Sequence, residues 1–430
     1  MELSGWFKKG VAAVKKPTKR LAATQELALP QEPPLVDVLR STLFEAVIAA
    51  GSAEAMRMLE EQREALCGPR YKQVDERQAY RHGSCPGSLV MGGRRVTMPR
   101  PRARSVEGRE LELPLWKQWS QEDPLEQRAM SQMILGVSTR KYARSLEKLP
   151  LTVPERGTSR SAVSRRFVAG TKKRLGDLMR RDLSKLDLLV VMIDGVHFDD
   201  HVVLAALGIT SDGTKHVLGL WEGATENATA CKGLLADLAS RGMRTDQTVL
   251  VVLDGAKALR KAAKDVFGER AVIQRCQEHK KRNVTEQLPE SLRTPVRRAM
   301  KEAYDCRDSK RALRLLEALA ERLDTEHPGA AASLREGLDE TLTVIELSLP
   351  GRLQQTLRTT NPIDNLFGGV RDRTNRVKRW KGGRMILRWC ALAVLEAEKN
   401  FRRIRGHAEM PKLVAALRNR DVVDQENAVA

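Results

Sequence analysis

Aromatic residues are scarce, only 4% of the chain, which argues against a protein whose main task is stacking on the bases of single strands. The six cysteines, Cys67, Cys85, Cys231, Cys276, Cys306 and Cys390, stand singly with no Cys-x-x-Cys pair. Neither a disulfide framework nor a four-cysteine zinc site is therefore expected, and a reducing compartment is. No apolar run approaches the roughly eighteen residues of a membrane span, so no membrane partner is expected. The first residues include Lys8, Lys9, Lys15, Lys16, Lys19 and Arg20 without an apolar stretch behind them, which is not the pattern of a secretory signal. Negative charge is also in short supply. Against 75 Lys and Arg there are 55 Asp and Glu, leaving +20. Such a balance points to a polyanionic partner, nucleic acid before membrane. At 430 residues, 41% of them hydrophobic, the chain has the length of several domains and the apolar content to fold them.

The stretch 186–200, LDLLVVMIDGVHFDD, is where a charge most needs a reason. Its uncharged apolar run 188–193 reads as a fully buried strand that delivers Asp194 at its end. Sixty residues on, TVLVVL at 248–253 repeats the device and ends in Asp254 and Gly255. Taken singly, each Asp–Gly is an ordinary strand-ending turn. Taken as a pair on neighbouring strands, the carboxylates lie about 5 Å apart, and two desolvated anions that close call for a divalent cation.

Around this pair the chain parses into seven parts. Residues 1–34 read as a basic, flexible arm ending in LPQEPP. Residues 35–120 read as a helical and small β DNA-binding region. The apolar spacing over 35–66 suggests two amphipathic helices broken near Gly51 and Ser52, and 71–115 suggests short strands whose Arg94, Arg95, Arg100, Arg102 and Arg104 suit phosphates or a solvated basic loop. Residues 121–180 parse as three helices, 123–135, 138–149 and 159–175, with Ser138 and Ser159 as N-caps. Arg160, Ser161, Ser164, Arg165 and Arg166 crowd the opening turns of the last helix, which fits a helix-turn-helix entering a DNA major groove or a plain bundle with a basic face.

Residues 185–280 follow as strands ending at 194, 201–210 and 214–222, a helix 226–241, a strand 248–253, a helix 256–267 and a strand 271–276. In this β-β-β-α-β-α-β order, right-handed crossovers place the first strand beside the fourth, giving a five-stranded mixed α/β sheet of ribonuclease H-like topology. Residues 281–357 read as an all-α insertion. Residues 358–407 begin a helix at Asn361 and Pro362, place Asp364 in its first turn near the positive end of the helix dipole, and then carry Arg371, Arg373, Arg376, Lys378, Arg379, Lys381, Arg384 and Arg388, a density suited to a phosphate backbone. Residues 408–430 read as a C-terminal tail.

Four segments in this order, MIDGVHF, VLDGAKAL, RCQEHKKRNV and TTNPIDNLFGGVRDRTNRVKRW, resemble the Mutator-type transposases of bacterial insertion sequences, DDE enzymes with a ribonuclease H-like core. The resemblance runs from about Tyr80 to the C-terminal helix. It implies that Asp194, Asp254 and Asp364 are the catalytic, metal-holding carboxylates, with Asp364 standing where the family has Glu. It implies a supporting place for His279, Cys276 and Asn361, with Cys276 and His279 in the family's Cys-x-x-His spacing and no second pair to make a zinc site. For Cys276 the plain alternative is a core thiol. Trp221 and Glu226 match a family element of no assigned role.

The implied reaction is metal-dependent phosphoryl transfer. Two Mg²⁺ or Mn²⁺ ions, bound with DNA, would serve nicking at an element's end and attack of the freed 3′-hydroxyl on target DNA. The implied partners are double-stranded DNA, both terminal inverted repeats and target, and a second copy of the chain in a homodimer or higher oligomer. The implied location is the bacterial cytoplasm, at the nucleoid. Two other classes fit the same features: a catalytically silent, transposase-derived sequence-specific DNA-binding protein, and a ribonuclease H-like resolvase or repair nuclease.

Overall fold

The computed structural model describes residues 35–72, 77, 79–91, 93–121, 124–146, 155–156, 158–223 and 228–429. The basic arm 1–34 and Glu226 lie outside the described residues.

The chain enters as α1 (Leu35–Cys67), one continuous helix of 33 residues rather than the two expected. Gly51 does not break it because Ala49, Ala50, Ala53, Glu54 and Ala55 around it are strong helix formers that outweigh one glycine. β1 (Ala79–Met91) and β2 (Arg94–Ser105) then form a long antiparallel hairpin, edged by β3 (Glu110–Leu111) and β4 (Glu155–Arg156). α1 lies on this hairpin through Ala55 and Leu59, which meet Met98, Leu113 and Trp116. Two short helices follow, α2 (Pro114–Gln121) and α3 (Pro124–Ile134).

The middle helix expected over 138–149 is not formed in its described part. Residues 138–146 are turns with one 3₁₀ turn, Ala143–Ser145, and Ser138 caps no helix. Buried Tyr142 donates its hydroxyl hydrogen to the Gly93 carbonyl at 3.2 Å, so anchoring to the hairpin outweighs local helical pattern. α4 (Arg160–Met179) does start where expected, with the Ser159 side chain accepting from the Ala162 N–H.

A five-stranded mixed sheet carries the rest: β5 (Leu188–Phe198), β6 (His201–Thr210), β7 (Lys215–Gly223), β8 (Val249–Leu253) and β9 (Ala271–Arg275), in the order β7-β6-β5-β8-β9. The first three run antiparallel, while β5–β8 and β8–β9 are parallel. α5 (Ala228–Ser240) and α6 (Lys257–Phe267) cover one face through Leu234, Leu235, Leu259 and Phe267. The other face is covered by α12 (Gly351–Leu357), α13 (Asn361–Thr374), α14 (Gly383–Glu398) and α15 (Met410–Val429), reached after α7 (Gln277–Glu286), α8 (Glu290–Tyr304), α9 (Ser309–Asp324), α10 (Pro328–Arg335) and α11 (Thr343–Glu346). Helices on both faces explain why β5 and β8 read as unbroken apolar runs rather than alternating ones. α7 to α10 bury their own apolar core around Met300, Leu316 and Leu334. The C-terminal segment is not loose up to Asp421: Leu413 and Leu417 of α15 are buried, and Asp421 accepts from the Thr248 N–H at 2.9 Å.

Candidate active site

Three chain segments deliver the acidic residues to one end of the sheet. β5 and β8 run in parallel with Ile193 opposite Leu253, so Asp194 and Asp254 follow side by side, about one strand spacing apart. Asp194 is not a strand-ending turn, because β5 continues to Phe198 against β6; it stands where the parallel neighbour leaves. Asp254 does end its strand, and its carboxylate accepts from the Ala256 N–H at 2.8 Å. Gly255, at φ +107°, must be glycine: a Cβ there would come within 2.1 Å of the Arg275 Nε. Asp364 arrives from the first turn of α13, on the opposite side of a long helical excursion.

Asp194 is 8% exposed and accepts from the Gly195 N–H at 2.8 Å. Its carboxyl is pushed up to about 7, first by burial and then by the fields of Asp364 and Asp254, against the pull of the Gly195 hydrogen bond and of His279. Burial and like charge together favour the proton.

Behind the acids stands a hydrogen-bonded knot of Cys276 and His279, both expected to support the site, around a residue that sequence reasoning did not single out. Its centre is Thr360, fully buried. The Thr360 hydroxyl lies 3.0 Å from the Asp364 Oδ2, 3.3 Å from the His279 Nδ1 and 3.4 Å from the Cys276 Sγ, and the Thr360 N–H also points at that sulfur at 3.4 Å. Cys276 in turn donates its backbone N–H to the Leu253 carbonyl at 2.7 Å, tying the knot to the strand that bears Asp254. Burial pushes the Cys276 thiol up, but hydrogen bonds from His279 and Thr360 outweigh it and leave it below the ordinary thiol range. His279 is pushed up to about 9, first by its hydrogen bond to Cys276 and then by the fields of Cys276, Asp194 and Asp364. At neutral pH it is a cation facing the acids. Thr360 lies one residue before Asn361, the residue that the sequence pattern favoured; Asn361 itself is exposed at the start of α13.

Among the described residues no three His, Cys, Asp or Glu side chains lie close enough to enclose a single ion. Asp194, Asp254 and Asp364 share a field without closing a ligand shell.

The other expected contacts divide. Arg160, Ser161, Ser164 and Arg165 are exposed at the start of α4, and Arg166 is half-buried. Arg371, Lys378 and Arg379 are exposed beyond the acidic end of α13. Arg373 and Arg376 bond to the protein's own backbone: half-buried Arg373 donates to the Gly369 carbonyl one turn back in α13 at 2.8 Å, and exposed Arg376 donates to the Leu135 carbonyl at 3.1 Å, just past the end of α3. Position 136 favours glycine, because its φ of +90° is one that L side chains rarely adopt. Trp221 packs its ring against Gly233 of α5.

A family model described as "Transposase, Mutator family" matches residues 21–404. The chain belongs to the Mutator family of transposases. Among its relatives in this family, the transposase for insertion sequence element IS6120 of Mycolicibacterium smegmatis is 34% identical over 204 residues, 46% of this chain and 62% of that protein. The transposase for insertion sequence element ISRM5 of Rhizobium meliloti (strain 1021) is 25% identical over 404 residues, 91% of this chain and 94% of the relative. That for IS256 in transposon Tn4001 of Staphylococcus aureus is 25% identical over 337 residues, 75% and 82% of the two chains. As a Mutator-family member the protein processes DNA. Among the described residues no helix is long and apolar enough to cross a membrane.

Proposed function

We propose that this Mutator-family chain is a DDE-type transposase that nicks DNA at the terminal inverted repeats of an insertion sequence and joins the freed end to target DNA, with Asp194, Asp254 and Asp364 as its catalytic carboxylates. The observation that carries the reading is that three sequence-distant acids share a field at one sheet end, where the Asp194 carboxyl is held up to about 7, first by burial and then by Asp364 and Asp254. A mixed sheet with the first strand beside the fourth and helices on both faces supports a ribonuclease H-like core. All three acids offer hard oxygen donors, which suits Mg²⁺ or Mn²⁺, while the Cys276 sulfur is turned onto Thr360.

When bound, one or two such ions would lower the pKa of an attacking hydroxyl and neutralise charge on the transferred phosphoryl group. The chain's own residues do the rest. Thr360 holds the Asp364 carboxylate by its hydroxyl, which matters more for Asp than for Glu because the side chain is one methylene shorter and cannot swing. His279, charged at neutral pH, adds a positive group beside the reacting phosphate. In the first step the oxygen of water attacks phosphorus and the bond to the 3′-oxygen breaks, leaving a 3′-hydroxyl. In the second that hydroxyl attacks a target phosphodiester and displaces its 3′-oxygen, so no covalent enzyme intermediate is needed. Arg371, Lys378 and Arg379 lie beyond the site to take phosphates, and the exposed start of α4, with Arg160, Ser161, Ser164 and Arg165, is placed for base or phosphate contact.

Metal-dependent nicking and strand transfer on a duplex carrying the cognate element end test this. Cleavage in the wild type and none in Asp194→Ala supports it. Silence in the wild type with activity in Asp364→Glu means a decayed enzyme whose third carboxylate is the lesion. Silence in all three, with DNA binding retained, replaces the reading by that of a DNA-binding protein.

A further inference from the structure

Between the C-terminal end of α1 and the start of β1 lies a hollow of about 360 Å³ whose charged lining is arginine alone: Arg63, Arg70, Arg77 and Arg81. Arg63 is 5% exposed and donates to the Gly83 carbonyl at 2.9 Å. One carboxylate, Glu60, answers three of the four, pairing with Arg63, with Arg81 at 2.9 Å and with Arg70 only at 3.9 Å. The Nε atoms of Arg77 and Arg81 are buried and without a hydrogen-bond partner. Guanidinium groups that leave water without enough anion are costly, so the surplus calls for an anion. The same hollow gathers the chain's free tyrosines. Of the four tyrosines, Tyr142 and Tyr304 are buried, while Tyr71 and Tyr80 line the hollow with Tyr71 fully and Tyr80 half exposed. Tyr71 takes a left-handed backbone, φ +59°, which bulky side chains rarely adopt. The Arg77 guanidinium lies 5.6 Å from the centre of the Tyr80 ring, within cation–π reach.

Spare guanidinium and exposed ring suit the two halves of one ligand. Planar guanidinium forks match phosphate oxygens, and a tyrosine beside them gives a nucleobase a face to stack on. A base inside a duplex is covered on both faces by its neighbours, so only one out of the stack can use such a ring. The volume falls at the lower end of small-ligand pockets, about 300–1,000 Å³. We infer that this hollow holds an unpaired nucleotide of the DNA on which the chain acts, its phosphate on Arg70, Arg77 and Arg81 and its base against Tyr71 or Tyr80. A chain too poor in aromatics for stacking to be its main task still has enough for one such place. The inference rests on the family's action on DNA and uses no residue of the acidic site, so it stands or falls apart from the proposed chemistry.

Fluorescence anisotropy with the purified full chain, without metal, compares a blunt DNA duplex with the same duplex carrying a short single-stranded deoxyadenosine tail. The wild type is expected to bind the tailed duplex about tenfold more tightly or better. Tyr71→Ala and Tyr80→Ala together should abolish that preference and leave affinity for the blunt duplex unchanged, which also shows the fold to be intact. Arg70→Gln, at an exposed position, should lower the slope of log affinity against log salt by about 0.7 on the tailed probe. Asp194→Ala should keep both the preference and the slope. No gain from the tail in the wild type overturns the inference, as does a preference that survives loss of both tyrosines. Tyrosine variants that weaken both probes alike assign the rings to duplex DNA or to the fold, and a slope that Arg70→Gln leaves unchanged takes the phosphate out of the hollow; either result overturns it too.

Discussion

The acidic end of the sheet and the free half of α1 break opposite rules. The first buries charge: Asp194 is 8% exposed beside two further carboxylates. The second exposes hydrophobes: Leu43 is 68% exposed on a helix. They differ also in how they are held. The acids hang on a sheet covered on both faces and tied by the Thr360 knot, whereas the first turns of α1 have few neighbours among the described residues. A chain that obeys folding rules nearly everywhere breaks them where it meets something else. Under the proposed reading the buried anions suit a cation and phosphate, while exposed apolar side chains suit another apolar surface.

The strongest way to break this contrast is at the acids. Asp254→Ala should lower strand cleavage by roughly a thousand-fold or more while leaving the circular dichroism spectrum unaltered; a lost fold would show that the residue serves structure instead. Next in size is stability against pH. The Asp194 carboxyl rises from 3.8 unfolded to about 7 folded, so the unfolded state gives up its proton first. The group costs nothing below about pH 4, and its cost grows through the window from 4 to 7 and is complete above it. Asp194→Asn should therefore stabilise the protein at pH 8 by about 2 kcal/mol, a figure discounted for the shared field, and by nearly nothing at pH 4. Thermal melts at the two pH values measure the difference, and Mg²⁺ at pH 8 should raise the wild-type Tm while leaving that of Asp194→Asn nearly unchanged.

Thr360 gives a smaller and sharper effect. Thr360→Val removes the hydroxyl shared by Asp364, His279 and Cys276 at equal volume, and should weaken Mn²⁺ binding about tenfold by lost orientation, with Thr360→Ser restoring it. Equal binding in Thr360→Val and wild type would reduce the knot to packing. The smallest effect belongs to the surface. Lys378→Ala or Arg379→Ala should each lower DNA affinity for all sequences alike and reduce the salt-dependence slope by about 0.9. Arg376→Ala should instead destabilise the fold, because Arg376 bonds to the Leu135 carbonyl just past the end of α3.

Asp194 and Asp254 were legible as a pair because a buried strand admits no charge without cause, and that pattern is local: five or six apolar residues, then Asp and Gly. The mixed sheet followed from strand order and crossover handedness, and DNA as partner from net charge. These are statements about adjacent residues or about sums, which a linear chain carries openly. Thr360, the continuity of α1, the loss of the helix expected over 138–149 and the backbone contacts of Arg373 and Arg376 were not legible in the same way. Thr360 meets Cys276 and His279 across more than 80 residues of chain, Tyr142 meets Gly93 across 49, and Arg376 meets Leu135 across 241. Which hydrogen bond a side chain makes is decided by neighbours that only folding brings together, and a local propensity of a few tenths of a kcal/mol per residue gives way to an anchor worth about 1 kcal/mol.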